Sequence, residues 1–238
     1  ALTRAVIQSA KSLGAKLKMP AEFISAIPGV DVNDIKYSVN GTVHSCKSRL
    51  LVNTAGPWAN AVLEKVTPTP SKRKFDLVSG AHIILNEPAP SGVFYVEAPQ
   101  DQRAVFVMPW KGKTMIGTTE TVFIGDPSEV TPLPEEESYL CDVASSYFPK
   151  FKNLTRGKIV ESFAGLRVLP HASGKSFSRP RETTIHVDKK RAPRIATIYG
   201  GKLTGYRITA EKFVAKFSSS LPRRKRKAET RMLPLTPT

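Results

Sequence analysis

The chain has 238 residues, with 36 Lys or Arg against 20 Asp or Glu and a formal net charge of +16. Its composition, 40% hydrophobic and 8% aromatic, is that of a globular protein and excludes disorder as its main property. No stretch approaches the roughly 18 consecutive apolar residues of a membrane span. Arg4, Lys11 and Lys16 interrupt the first apolar pattern, which argues against a signal peptide.

The first 66 residues are predicted to combine helices and strands. Asn40-Gly41 separates two runs of strand-forming residues and predicts a β-hairpin at 35–47, because both positions of a tight hairpin turn need a positive φ. The periodicity on either side of the hairpin predicts a helix over 2–17, a strand over 49–53, a turn at 54–57 and a helix through Val66.

A Pro-rich segment at 67–70 interrupts this pattern and predicts a domain crossing. Short runs of Val, Ile, Phe and Thr between turn residues then predict an antiparallel sheet with one covering helix. The strands are expected at 81–85, 92–97, 104–110, 113–119 and 158–169, and the helix at 134–148. Two further strands, at 183–187 and 194–199, precede a helix predicted over 202–217.

Phosphate-loop and metal motifs are absent from the sequence. Gly112-Lys113-Thr114 and Gly174-Lys175-Ser176 both lack the glycine that a P-loop needs five positions earlier, and no GxGxxG fingerprint occurs. The four histidines are not spaced as metal ligands, so no metal is expected. Two distant cysteines, Cys46 and Cys141, favour a reducing compartment.

Three segments carry unusual residue choices. One places a glycine between a strand and a helix, where backbone can approach a ligand: Thr54, Ala55, Gly56, Pro57 and Trp58. Arg167 lies in an apolar strand, where a charge needs an anion or a carboxylate partner. The third puts paired glycines and a lysine at a predicted helix start, which suits a negative group: Gly200, Gly201, Lys202, Leu203 and Thr204. A turn glycine, a structural ion pair and a solvated lysine are the alternative explanations.

In this order the segments resemble the FAD-dependent glycerol-3-phosphate dehydrogenases, within the broader D-amino-acid-oxidase-like flavoprotein family. The resemblance covers roughly residues 1 to 217. It rests on Val52–Trp58, Gly80–Ile84, Val105–Trp110, Ile116–Glu120, Gly125–Pro127, Gly165–Arg167, Ser178-Arg179 and Gly200–Arg207.

The resemblance implies a fold of class α/β plus α+β, in which an antiparallel-sheet substrate domain is inserted into a partial, discontinuous FAD-binding domain. The expected parts are a partial FAD-binding domain at 1–66, a β-rich substrate-binding domain at 67–190, a returning strand and helix at 191–217, and a basic tail at 218–238. The family's N-terminal glycine-rich segment and C-terminal helical domain have no counterpart in this sequence, which looks like a piece of a longer protein. These 238 residues alone are therefore expected to bind FAD weakly or not at all.

The implied reaction is oxidation of glycerol 3-phosphate to dihydroxyacetone phosphate, with FAD as cofactor and a quinone as electron acceptor. By resemblance, His82 is the base for the substrate hydroxyl, and Arg167 and Arg179 hold the phosphate. Pro180-Arg181 follows Ser178-Arg179 where the family has Asp, so Arg181 is the alternative to Arg179. Lys202 is expected to face the flavin, and the backbone of 54–58 and 200–204 to approach it. The family also implies a place peripheral to the cytoplasmic or mitochondrial inner membrane.

Two other functions stay open at this point. The isoelectric point near 10.0 and the run Arg223–Lys227 suit a polyanion-binding module, although no nucleic-acid motif is present and nucleic acid is not the expected partner. An amine or hydroxy-acid oxidase of the same flavoprotein family is the second alternative.

Overall fold

The computed structural model describes residues 2–171, 182–225 and 227–235, and the chain divides into two compact units. Unit 1 comprises residues 1–73 and 181–238, and unit 2 comprises residues 74–180. The excess positive charge belongs to unit 1, which has 25 Lys or Arg against 8 Asp or Glu, whereas unit 2 has 11 against 12. The chain thus passes between units at 73–74 and 180–181, where the sequence predicted 66–67 and 190–191.

The helices and strands follow one another as α1 (Leu2–Ser12), β1 (Glu22–Pro28), β2 (Asn33–Val39), β3 (Thr42–Ser48), β4 (Leu51–Asn53), α2 (Ala59–Glu64), β5 (Phe75–Leu85), β6 (Phe94–Glu97), β7 (Ala104–Trp110), β8 (Lys113–Gly117), β9 (Thr121–Phe123), α3 (Pro134–Tyr147), β10 (Ile159–Pro170), β11 (Thr184–Val187), β12 (Ile195–Tyr199) and α4 (Tyr206–Lys216). None of the helices in the described part of the chain is long and apolar enough to cross a membrane.

In unit 1, β1, β2 and β3 form an antiparallel sheet. The predicted hairpin is confirmed: Val39 pairs with Thr42, and the turn residues Asn40 and Gly41 have φ values of 49° and 80°. The sequence did not predict β1, whose register shifts between Phe23 and Ser25 and so breaks the alternation of apolar residues.

A second sheet of unit 1 has the strand order β11-β12-β4. β12 and β4 run parallel, with Ile195 opposite Leu51 and Thr197 opposite Asn53. β11 pairs with β12 and so belongs to unit 1, although the predicted boundaries placed residues 183–187 in the substrate domain.

Unit 2 is built on one sheet in the order β10-β5-β8-β7-β6, with β9 also paired to β5. Helix α3 covers one face, and together they enclose a core of twelve buried residues that includes Ile83, Val107, Ile116 and Leu140. The predicted strand at 81–85 begins earlier, at Phe75, and the predicted strand at 113–119 ends at Gly117.

The opposite face of this sheet is only partly exposed: Phe106 and Phe163 are exposed, whereas Val78 and Ile84 are buried. His82 pairs with Phe163 on one side and with Gly117 on the other, and Gly117 pairs with Phe106 on the next strand. Arg167 lies four positions beyond Phe163 on β10, so both side chains point to the same face. This surface, called the open face below, carries two of the predicted site residues.

Candidate active site

The first predicted cofactor loop follows β4 and is organised by Asn53. This buried side chain donates a hydrogen bond to the Ala59 carbonyl (2.8 Å) and accepts one from the Ala55 amide (3.1 Å), which ties both ends of the turn together. Gly56 has a φ of +55°, and a Cβ built on it would meet nothing within 4 Å. Conformation, not crowding, therefore explains the glycine.

The second loop follows β12. Gly200 and Gly201 have φ values of 69° and 102°, and Lys202 is exposed at the start of a short 3-10 turn, Leu203–Gly205. Helix α4 begins only at Tyr206, so the prediction that a helix starts at Lys202 was wrong. The positive φ values of the two glycines turn the chain away from β12, and a tight turn then leads into α4.

The structure brings these two loops to one edge of the same sheet. Because β4 and β12 are adjacent and parallel, residues 54–58 and 200–204 both follow the carboxyl ends of their strands. In α/β sheets this edge is where ligands bind. Large apolar side chains are exposed in and beside the loops: Val52, Trp58, Leu203 and Tyr206.

On the open face of unit 2, Arg167 lies across Gly80. A Cβ on Gly80 would come within 2.7 Å of the guanidinium Nη2 and 2.5 Å of the Thr118 hydroxyl. Nη2 donates to the Thr118 Oγ1 (3.1 Å), and Thr118 in turn donates to the Thr119 carbonyl (3.1 Å). The glycine thus makes room for a guanidinium that Thr118 holds in place.

His82 lies two residues along β5 on the same face. Its ring stacks on Phe163, with centroids 5.0 Å apart and an angle of 7° between the planes, and it packs against the backbone of Gly117. Its buried Nδ1 has no hydrogen-bond partner among the described residues. Burial, and then the charge of Arg167, lower the pKa of His82 from its ordinary value of 6.5, so the imidazole is neutral at neutral pH.

The predicted site residues therefore form two groups. His82 and Arg167 share the open face of unit 2, and the two loops share a sheet edge of unit 1. Arg179 and its alternative Arg181 lie outside the described residues.

Thr118 and Asn53 hold the candidate site residues in place through hydrogen bonds, and sequence reasoning did not select either of them individually. Both are small polar residues at the end of a strand or directly after it, beside a glycine or a turn: Asn53 ends β4 and Thr118 follows β8. Both also lie in segments that carry the family resemblance, Val52–Trp58 and Ile116–Glu120.

Comparison with known proteins places the chain in a family. The model of the FAD dependent oxidoreductase family matches residues 1–207. A glycerol-3-phosphate dehydrogenase of Pseudomonas aeruginosa is 34% identical over 175 residues, which are 72% of this chain and 34% of the relative. A D-erythritol 1-phosphate dehydrogenase of Brucella abortus is 29% identical over 191 residues, which are 79% of this chain and 38% of that protein.

The crystal structure of the glycerol-3-phosphate dehydrogenase from Bacillus halodurans, solved in complex with FAD, is similar in fold, with a TM-score of 0.78 at 28% identity. The match covers 92% of this chain and 42% of that structure. The chain thus spans between a third and two fifths of the length of the curated relatives named above. Because the family model matches most of its length, the chain belongs to the FAD-dependent oxidoreductases.

Proposed function

We propose that this chain carries the substrate-binding part of an FAD-dependent dehydrogenase that oxidises glycerol 3-phosphate to dihydroxyacetone phosphate. The observation that carries the proposal is the pair on the open face: a guanidinium fixed over Gly80 and a neutral imidazole two residues along the same strand. The relative from Pseudomonas aeruginosa, named as a glycerol-3-phosphate dehydrogenase, supports the choice of substrate.

Arg167 would bind the phosphate of the substrate. A guanidinium presents parallel N–H groups that match two phosphate oxygens, and its charge is never lost at physiological pH. Because Thr118 already holds Nη2, the fork is oriented before the ligand arrives. This pre-orientation lowers the ordering cost of binding.

His82 would act as general base toward the hydroxyl on C2. Loss of that proton and of the hydride on C2 converts the secondary alcohol to the ketone, so a base that is neutral at working pH is required. FAD, when bound, would supply the acceptor for the hydride. The stacking of His82 on Phe163 fixes the plane of the imidazole ring.

The residues at the edge of the unit 1 sheet fit a flavin cofactor. The positive-φ glycines at 56, 200 and 201 allow the backbone to approach a large ligand, and exposed apolar side chains stand beside them. The loops 54–58 and 200–204 would hold the cofactor, with Lys202 offering a positive charge beside it. We infer that this partial site binds FAD weakly in the absence of the family's glycine-rich segment.

The binding test uses the 238-residue chain and follows the His82 ring signals by NMR during titration with glycerol 3-phosphate and with glycerol. Saturable shifts with the phosphorylated ligand alone are expected. Arg167→Lys should weaken binding about tenfold or more, because a bidentate contact is replaced by a point charge. Arg156→Ala removes an exposed arginine of the same unit and serves as the control.

Two results of this titration, extended to D-erythritol 1-phosphate, discriminate among substrates. Equal binding of glycerol with and without phosphate would contradict the proposal and favour an amine or hydroxy-acid oxidase. Tighter binding of D-erythritol 1-phosphate would place the chain with the relative from Brucella abortus. Absorbance of added FAD in the flavin region, before and after anaerobic addition of glycerol 3-phosphate, tests whether the partial cofactor site works alone.

We further infer that the electron acceptor is a quinone and that the protein is peripheral to the cytoplasmic or mitochondrial inner membrane. The charge of unit 1 supports contact with an anionic surface, since 25 basic residues stand against 8 acidic ones. Co-sedimentation with vesicles that contain phosphatidylglycerol, compared with neutral phosphatidylcholine vesicles, tests this location. No difference between the two vesicle types would contradict it.

A further inference from the structure

Strand β5 has an irregular neighbour where the proposed site lies. β8 ends at Gly117, which pairs with His82, and β9 begins at Thr121, which pairs with Ser79. Three residues, 118–120, therefore stand opposite the two residues 80 and 81. Extra residues of this kind bend a strand and redirect its side chains; residues 118–120 are called the bulge below.

The side chains of the bulge make three separate connections. Thr118 accepts a hydrogen bond from Arg167 on the open face. Glu120 accepts one from Arg103 Nη1 (2.9 Å). Thr119 is 4% exposed, and its hydroxyl accepts a hydrogen bond from the Ala81 amide (2.8 Å), while its own amide donates to the Ala81 carbonyl (3.3 Å).

The hydroxyl of Thr119 is hydrogen-bonded to Glu136, which lies in the first turn of α3. The Glu136 carboxylate is 6% exposed and accepts three hydrogen bonds, from the hydroxyls of Thr119 (2.7 Å) and Thr121 (2.7 Å) and from the Leu133 amide (3.0 Å). Burying a carboxylate is unfavourable unless such donors surround it. Because the hydroxyl of Thr119 donates to Glu136, its lone pair is directed toward the Ala81 amide.

We propose that Thr119, held by Glu136, is a positioning residue for the pair His82 and Arg167. Ala81 lies between Gly80, over which Arg167 is placed, and His82, so the contact with Thr119 fixes the backbone from which both parts of the site are built. The inference rests on the proposed function, because it assigns Thr119 a task only if His82 and Arg167 bind substrate. Thr119 itself acts through these residues and does not touch the substrate.

The test compares three variants of the 238-residue chain. Thr119→Val keeps the shape but loses both hydroxyl hydrogen bonds, and Thr119→Ser restores them. Thr121→Val is the matched control, since it removes one donor to Glu136 but leaves the contact between Thr119 and Ala81 intact. The readouts are the pKa of His82 from NMR titration, the Kd for glycerol 3-phosphate, and the Tm.

In Thr119→Val, the pKa of His82 should rise toward 6.5, because the ring becomes more exposed and less strongly coupled to Arg167. The Kd for glycerol 3-phosphate should increase about tenfold, which corresponds to the net free energy of one hydrogen bond, here the lost contact between the Thr119 hydroxyl and the Ala81 amide. Thr119→Ser should return both values to those of the parent chain. Thr121→Val should lower the Tm without moving either value.

If Thr119→Val does not fold, Glu136→Gln replaces it, because the amide keeps the shape and weakens the anchor; a smaller change in the same direction is then expected. A fall in Tm with an unchanged pKa of His82 in the folded variants would overturn the inference and leave Thr119 a purely structural residue. Failure of the proposed function looks different: the parent chain would not bind glycerol 3-phosphate, whatever the variants do to His82.

Discussion

Each unit of the chain carries its own group of candidate site residues, and the two groups are built in different ways. Unit 2 presents side chains, His82 and Arg167, on a sheet whose other face is covered by a single continuous core. Unit 1 presents backbone, in two glycine-containing loops at the edge of a three-stranded sheet, and most of the buried hydrophobic residues in its described part fall into two small clusters. A site that depends on side-chain geometry thus stands on the stronger core, whereas the loop-built site stands on the weaker one.

The largest expected effect compares two buried leucines of equal size. Leu140 on α3 is fully buried in the core of unit 2, and Leu63 on α2 is 1% exposed in one of the two small clusters of unit 1. Leu140→Ala should lower the free energy of unfolding by about 4 kcal/mol and Leu63→Ala by about 3 kcal/mol, because a cavity in the larger core has more contacts to lose.

The two tryptophans allow the free energy of unfolding to be measured separately for each unit. Trp58 lies in unit 1 and Trp110 in unit 2, so single Trp→Phe variants report urea unfolding of each unit separately. Leu140→Ala should move mainly the Trp110 transition, and Leu63→Ala mainly the Trp58 transition. Coincident shifts in both probes would mean that the two units unfold together, so that the stabilities of their cores could not be compared.

Two ion pairs, one in each unit, have similar lengths but differ in how deeply they are buried. Arg103 and Glu120 in unit 2 are 2.9 Å apart with 18% and 3% of their side chains exposed; Lys47 and Asp34 in unit 1 are 3.0 Å apart with 69% and 60% exposed. Glu120→Ala leaves the largely buried Arg103 with the more distant carboxylate of Asp101 (3.6 Å) and should cost about 3 kcal/mol. Asp34→Ala should cost less than about 0.5 kcal/mol. Urea unfolding at low and high salt checks both values, and equal costs would refute the comparison.

Substitution of two glycines tests the difference between the loops of unit 1, which present backbone, and the open face of unit 2, which presents side chains. Gly56 has a positive φ and free space around it, so Gly56→Ala should cost about 1 kcal/mol through backbone strain alone. Gly80 has an ordinary φ but lies beneath Arg167 and Thr118, so Gly80→Ala should cost about 2 kcal/mol through crowding. Only Gly80→Ala should also abolish the NMR response to glycerol 3-phosphate; retention of that response would contradict the placement of Arg167.

The smallest effect is a pH dependence that belongs to unit 2. The pKa of His82 is lowered in the folded chain, by burial and then by Arg167, relative to 6.5 when unfolded. As the pH falls below about 6.5, the unfolded chain takes up a proton that the folded chain does not, so stability decreases until the pH passes the folded pKa. The Trp110 transition should show this loss on acidification and His82→Gln should reduce it, with the Trp58 transition as internal control. An identical slope in His82→Gln would contradict the lowered pKa.

Much of the local structure could be predicted from the sequence, because its signals are local. The Asn-Gly hairpin, the helix with three glutamates in its first turn and the long strand at β10 all follow from residues within one window. Membership of the flavoprotein family also came from short segments and is confirmed.

The remaining features depend on contacts between distant residues. The pairing of β4 with β12 joins residues 144 positions apart, and no periodicity reveals such a partner. The bulge was read as part of a continuous strand at 113–119, since Thr118 and Thr119 are good strand formers. Arg167 was selected by its apolar surroundings, but its placement over Gly80 and beside Thr118 needs three separate strands to be assembled.

The antiparallel pairing of β5 with β10 has a consequence for how the chain folds. Phe75 lies opposite Pro170, and the His171 amide bonds to the Lys74 carbonyl, so the first and last strands of unit 2 end side by side. Once unit 2 has formed, the two ends of this segment of nearly one hundred residues lie next to each other. The entropic cost of bringing β4 and β12 together is then lower, because the loop between them is effectively shorter. We therefore expect the parallel pair of unit 1 to form after unit 2, when β12, synthesised after unit 2, pairs with β4, synthesised before it.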